Sequence, residues 1–169
     1  MGCKKRILVS WIWREWSSRA RGKNREPIWP PGIVGSISHT ERYCGVAVGK
    51  KNKIDSLGLD VEHAGKIKED CWKLIFTRNE LAWISSLSKD RWKENATLLF
   101  SAKECLYKCQ YTISKKWLDF HDVTIIINHD IGEFDAILRI NIDNLFKKGT
   151  CFRGRFLFYR DYVFTGMSI

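Results

Sequence analysis

An apolar stripe of helical period, Trp92, Ala96, Leu99 and Leu106, runs through residues 90–110, with strand-patterned segments on both sides of it. Ahead of it, Thr77 and Glu80 form a capping-box pattern in front of Leu81, Ala82, Trp83 and Ile84, so a first helix starts there. Ser101 and Glu104 fit the same box and offer a new start at Ser101, but the apolar period continues through them and favours one long helix. Strands, then helices, then strands is the order of an α+β fold.

Pro27, Pro30, Pro31 and Gly32 make a rigid turn, because proline fixes φ and pushes its predecessor toward extended conformations. Residues 33–39 and 43–48 follow as β-rich runs joined by Thr40, Glu41 and Arg42, in the manner of a hairpin or of neighbouring strands. The next strand, 56–62, alternates. Leu57, Leu59 and Val61 point one way, toward a core, while Gly58, Asp60 and Glu62 point the other and present two carboxylates side by side. After the helices, strands are expected at 123–127, 134–140, 152–159 and 162–165, the last two joined by a turn at Arg160 and Asp161.

With 169 residues, 44% of them hydrophobic, the chain can bury a core without disulfides or a structural metal. Its cysteines show no CxxC spacing and no secretory signal precedes them, so they read as reduced thiols of a cytoplasmic protein. No run approaches the roughly 18 apolar residues of a membrane span. A net charge of +10 implies an anionic partner, whether nucleic acid, membrane, phosphorylated ligand or acidic protein.

The pair Asp60 and Glu62 reads either as an exposed acidic strand edge or as an oxygen-only site for Mg²⁺, which relieves the repulsion between neighbouring carboxylates. Glu104 and Lys108 stand one helical turn apart, as a solvated salt bridge or as a further metal carboxylate with a phosphate-binding lysine. Ser38 and His39 close a strand. Adjacent strand residues face opposite ways, which argues against a serine nucleophile with its base; a polar strand end and a pair of phosphate contacts both remain.

Three segments in this order carry a family likeness: the run Arg25 to His39, with Trp29-Pro30-Pro31-Gly32 and Gly35-Ser36-Ile37-Ser38-His39; Leu57-Gly58-Leu59-Asp60-Val61-Glu62; and Phe100-Ser101-Ala102-Lys103-Glu104 with Tyr107 and Lys108. Together they resemble the 4'-phosphopantetheinyl transferases, specifically the enterobactin-synthase-component type of siderophore and nonribosomal peptide pathways. The resemblance implies a 4'-phosphopantetheinyl transferase-like fold of two pseudo-symmetric α/β lobes, the first shortened at its N-terminus. It divides the chain into a short atypical segment, 1–24, and a transferase domain, 25–169. The short stretch before Arg25 reads as a truncation, since the family carries a longer first lobe there.

By the same resemblance, Asp60, Val61, Glu62 and Glu104 surround Mg²⁺ against the coenzyme A pyrophosphate, and Ser38, His39 and Lys108 contact its phosphates. Lys23, Asn24 and Arg25 stand where the family has a nucleotide-contacting basic loop, and Leu118 falls near the pantetheine arm. Glu104, or a metal-held water, takes the proton of the attacking serine, with Asp60 and Lys108 as the other catalytic groups. The implied partners are coenzyme A and apo acyl, aryl or peptidyl carrier proteins, with the chain a cytoplasmic monomer and association with a synthase complex left open. A nucleic-acid-binding module is the competing class, because basic charge interleaved with Trp and Tyr suits phosphates and bases. It leaves Asp60, Glu62 and Glu104 unexplained, so no nucleic acid is expected.

Overall fold

β1 (Ile33–His39) and β2 (Cys44–Lys50) pair antiparallel, from Ile33 opposite Lys50 to His39 opposite Cys44. Thr40 closes the hairpin: its N–H donates to the Tyr43 carbonyl at 2.7 Å, and its hydroxyl accepts the Tyr43 N–H at 3.2 Å. The computed structural model describes residues 26–169, so the segment 1–24 and the basic loop of Lys23, Asn24 and Arg25 lie outside the described residues.

β3 (Leu57–His63) opens a second sheet, whose other strands are β4 (Val123–Asn128), β5 (Glu133–Leu138), β6 (Cys151–Tyr159) and β7 (Tyr162–Ser168). Its order is β3-β7-β6-β5-β4, antiparallel throughout. The expected turn at Arg160 and Asp161 joins β6 to β7, with Arg160 at φ 51°.

Three α-helices lie between β3 and β4: α1 (Trp72–Ile75), α2 (Arg78–Ser86) and α3 (Lys89–Ser114). The capping box at α2 is complete, because the Thr77 hydroxyl accepts the Glu80 N–H while the Glu80 carboxylate accepts the Thr77 N–H. α3 runs through Ser101 as one helix and stops where Lys115 turns left-handed at φ 56°. Its apolar stripe, Ala96, Leu99, Ala102, Cys105, Leu106 and Cys109, is buried against Phe134, Ala136, Leu138, Phe152 and Met167 of the sheet. Folding is α+β, as the order of elements required.

Both faces of β3 are covered, against the reading of Asp60 and Glu62 as an exposed acidic strand edge. Leu59 lies over Gly45 and Leu57 over Gly49 of β2, so the leucine face meets the hairpin and stays half-buried. The opposite face packs on α3. Gly58 sets that approach: a Cβ there would come 2.1 Å from the Cys105 carbonyl oxygen, so only glycine admits the helix backbone. The helix fills the space beside Gly58, and Asp60 ends up 2% exposed.

Candidate active site

The hydroxyls of Ser36 and Ser38, two residues apart on β1, reach across to β3. Ser36 Oγ accepts the Leu59 N–H at 3.0 Å and Ser38 Oγ accepts the Val61 N–H at 3.2 Å. Side-chain oxygens thus take amides along the edge of β3 and tie the hairpin to the large sheet. Ser38 also donates to Asp60 Oδ1 at 2.8 Å and accepts from Lys108 Nζ at 3.1 Å. Its one proton and both lone pairs are engaged.

Asp60 is the hub. Lys108 Nζ lies 2.5 Å from its Oδ1, and Ser101 Oγ donates to Oδ2 at 2.8 Å. Ser101 is held in turn by Thr165 of β7, whose hydroxyl donates to the Ser101 carbonyl at 3.0 Å. The i,i+4 salt bridge that was one of the two readings of Glu104 and Lys108 is therefore not formed: Lys108 is ion-paired with Asp60, because α3 presses against β3 at Gly58 and brings that carboxylate within reach. The Lys108 side chain is 27% exposed, and its ammonium keeps one of three N–H donors for an outside acceptor.

Glu104 is half-buried on the same helix. Burial raises its pKa above the ordinary carboxylate value, the negative charges of Asp60 and Glu62 raise it further, and Lys108 opposes them. Glu62 itself accepts from Lys66 at 2.9 Å. Among the described residues, no three His, Cys, Asp or Glu side chains are gathered to hold a metal ion. Asp60, Glu62 and Glu104 are not a ready-made cage because Asp60 is turned into Ser38, Ser101 and Lys108, and Glu62 toward Lys66. In charge and donor type they do suit a divalent cation: the donors are all oxygen, and Glu104 sits in an excess of negative field.

Other expected positions fall elsewhere. Val61 is fully buried, its side chain apolar, so it offers backbone only. His39 ends β1 exposed, on the strand face opposite Ser38, and is not drawn into the Asp60 cluster. Leu118 packs in the main core at 8% exposure and does not border an open site.

Lys103, beside Glu104, was not assigned a role by its sequence position. Its ammonium is buried 2.9 Å from Glu80 and donates to the carbonyls of Phe120 at 2.6 Å and Val123 at 3.1 Å. Glu80 Oε1 also accepts the Ile125 N–H at 2.8 Å. This pair ties α2, α3 and β4 together on the side of α3 away from Asp60, and so fixes which face of the helix Glu104 and Lys108 present. Two serines at alternate positions of an otherwise apolar strand, Ser36 and Ser38, were the legible sign that β1 bonds to its neighbour through side chains.

The family model of the 4'-phosphopantetheinyl transferase superfamily matches residues 56–156, the stretch from β3 into β6. The chain belongs to the 4'-phosphopantetheinyl transferase superfamily. A second model, the 4'-phosphopantetheinyl transferase N-terminal domain, matches residues 13–49. The chain is similar to 4'-phosphopantetheinyl transferase PptT of Mycobacterium tuberculosis, 33% identical over 161 residues, covering 88% of this chain and 67% of that one. It is also similar to 4'-phosphopantetheinyl transferase Svp of Streptomyces mobaraensis, 32% identical over 123 residues, covering 70% of this chain and 49% of that one. Against Svp and the corresponding transferase Npt of Nocardia iowensis, the chain spans about half of the relative's length. In fold it matches the crystal structure of Thermotoga maritima holo-[acyl-carrier-protein] synthase, with a TM-score of 0.51 at 14% identity, over 66% of this chain and 61% of that one. Among the described residues of this superfamily member, no helix is long and apolar enough to cross a membrane.

Proposed function

We propose that this protein transfers the 4'-phosphopantetheine arm of coenzyme A to a serine of an apo acyl, aryl or peptidyl carrier protein, releasing adenosine 3',5'-bisphosphate. The observation that carries the reading is the pairing on α3 of Glu104, whose pKa is raised, with Lys108, which keeps a spare donor beside buried Asp60. The serine oxygen bonds to the β-phosphorus as the bond from that phosphorus to the bridging oxygen breaks, and the pair of electrons leaves on the adenosine bisphosphate. Glu104 accepts the serine proton. A raised pKa makes its carboxylate a stronger base than an ordinary glutamate. Lys108 holds a phosphate oxygen through its spare N–H, while Ser38, whose proton and lone pairs are engaged, positions Lys108 and Asp60.

A divalent cation, Mg²⁺ in this reading, would be held by Asp60, Glu62 and Glu104, with Val61 contributing backbone only. When bound, it supplies charge neutralisation for the pyrophosphate. The siderophore or nonribosomal peptide context and the monomeric state rest on the resemblance carried by the three segments together, and the cytoplasmic setting on cysteines that read as reduced thiols.

Mass spectrometry of an apo carrier protein incubated with the enzyme, coenzyme A and Mg²⁺ tests the reading. The expected result is the mass of the added arm on the carrier serine, lost when Mg²⁺ is chelated. Coenzyme A binding with no mass gain on acyl, aryl or peptidyl carriers overturns it. A mass gain that survives chelation removes only the metal.

A further inference from the structure

A cleft of about 620 Å³ opens on the far side of α3 from Asp60, where α1, the start of α2, the turn before β4 and the end of β5 meet. Lys73, Arg78, Arg139 and His121 line it, above an apolar floor that includes Phe76 and Leu81. It is separate from the cluster described above: Lys103, whose ammonium lies under this side, bonds to Glu80, Phe120 and Val123, while Ser101 and Lys108 bond to Asp60.

Among the described residues, its cations have no ion-pair partner: none of Lys73, Arg78 and Arg139 takes part in an ion pair, and all are exposed. No carboxylate of the described residues lines the cleft. Glu80, near in sequence, is turned inward onto Lys103, while Asp119 and Asp122 accept backbone N–H groups of their own turn. Like charges brought together on a folded surface repel, so their convergence costs stability until an anion joins them.

The cations are also partly fixed. Arg139 Nη1 donates to the His121 carbonyl at 3.0 Å, and His121 Nε2 lies 3.2 Å from the Lys73 carbonyl oxygen. A guanidinium anchored through one nitrogen still carries donors for a planar or tetrahedral oxyanion. The volume falls in the range of small-molecule sites, far larger than one phosphate needs, and the floor suits a ring or chain rather than water.

We propose that this cleft is a second, non-catalytic site for a phosphate monoester with an apolar or aromatic body. The inference does not depend on the transfer reaction. Phenyl phosphate is the probe, titrated calorimetrically into the wild-type chain, the Arg78→Gln/Arg139→Gln variant and Lys108→Ala. The expected result is equal affinity for wild type and Lys108→Ala, a loss of about tenfold or more in the double variant, and weaker binding of inorganic phosphate than of phenyl phosphate. Lys73→Gln/Arg78→Gln, which removes no bond of the fold, gives the same reading if Arg139 proves needed for folding. No binding to wild type, equal affinity in all variants, or a loss confined to Lys108→Ala overturns the proposal. So does unchanged phenyl phosphate affinity alongside a raised KM for an acidic carrier protein, which would make the cleft a protein-docking face instead.

Discussion

Glu104 carries a conflict that Asp60 does not. Asp60 is deeply buried, yet its oxygens receive an ammonium and two hydroxyls, whereas Glu104 is pushed toward its neutral form by burial and by Asp60. A carboxylate whose pKa is raised on folding binds its proton more readily in the native state. Stability therefore declines as pH climbs from the ordinary value of 4.5 through the raised one, and is flat above it. Glu104→Gln removes that decline, so the difference in Tm between variant and wild type should grow in the variant's favour from about pH 4 to about pH 7. The same change should abolish transfer. A Tm difference that is constant with pH would show that Glu104 is not the strained group. If Mg²⁺ occupies the site, it relieves the same conflict, and should raise the Tm of wild type more than that of Glu104→Gln. Asp60→Ala behaves differently: it strands Lys108, Ser38 and Ser101, so transfer disappears and denaturant melts should show a loss of about 3 to 5 kcal/mol, the scale of breaking a buried pair. Wild-type stability in Asp60→Ala would mean that the hub contributes to chemistry alone.

At the scale of elements, the site exists because α3 lies directly on β3. Gly58→Ala should force the helix away from the strand, since the new methyl would meet backbone rather than a side-chain tip that can swing aside. A cost of about 1 to 3 kcal/mol is expected in urea melts, with transfer falling further than stability as Asp60 and Lys108 separate. Equal stability would mean the strand and helix can slide apart freely. Lys103→Met should also cost about 3 to 5 kcal/mol, because Glu80 is left charged and buried among backbone donors. Much of this architecture was legible. The α2 cap, the unbroken α3 and the hairpin pairs followed from spacing, because each is a local rule of backbone hydrogen bonding. The burial of Asp60 was not legible. Alternation assigns residues to faces, but which face meets solvent depends on how closely a distant helix approaches, and Gly58 reads equally well as room for a ligand. Lys108 was placed one turn from Glu104 correctly, but its ion pair with Asp60 was not legible for the same reason, since that partner lies 48 residues away. Leu118 follows α3 in the chain, and only the packing of the sheet decides that it closes the core.

For the molecule as a whole, a net charge of +10 has to be reconciled with a site built around carboxylates. The two do not conflict, because the acids of the site are buried or half-buried, Asp60 paired with Lys108 and Glu62 with Lys66, while most basic groups are on the surface. Surface charge acts at range on a partner's approach; the Asp60 cluster acts only on what has arrived. An acidic carrier protein would be drawn in by that surface, and complementary charge chiefly accelerates encounter. Screening weakens such attraction as the Debye length contracts from about 30 Å at 0.01 M salt to about 8 Å near physiological ionic strength. Paired groups inside the site are screened far less. Raising salt should therefore raise the KM for the carrier protein while leaving kcat nearly unchanged, as measured with coenzyme A saturating at each ionic strength. A carrier KM that stays flat would mean that docking is apolar and that the surface charge has another use. A kcat that falls in parallel would place the salt-sensitive step at the Asp60, Glu104 and Lys108 cluster rather than in the approach to it.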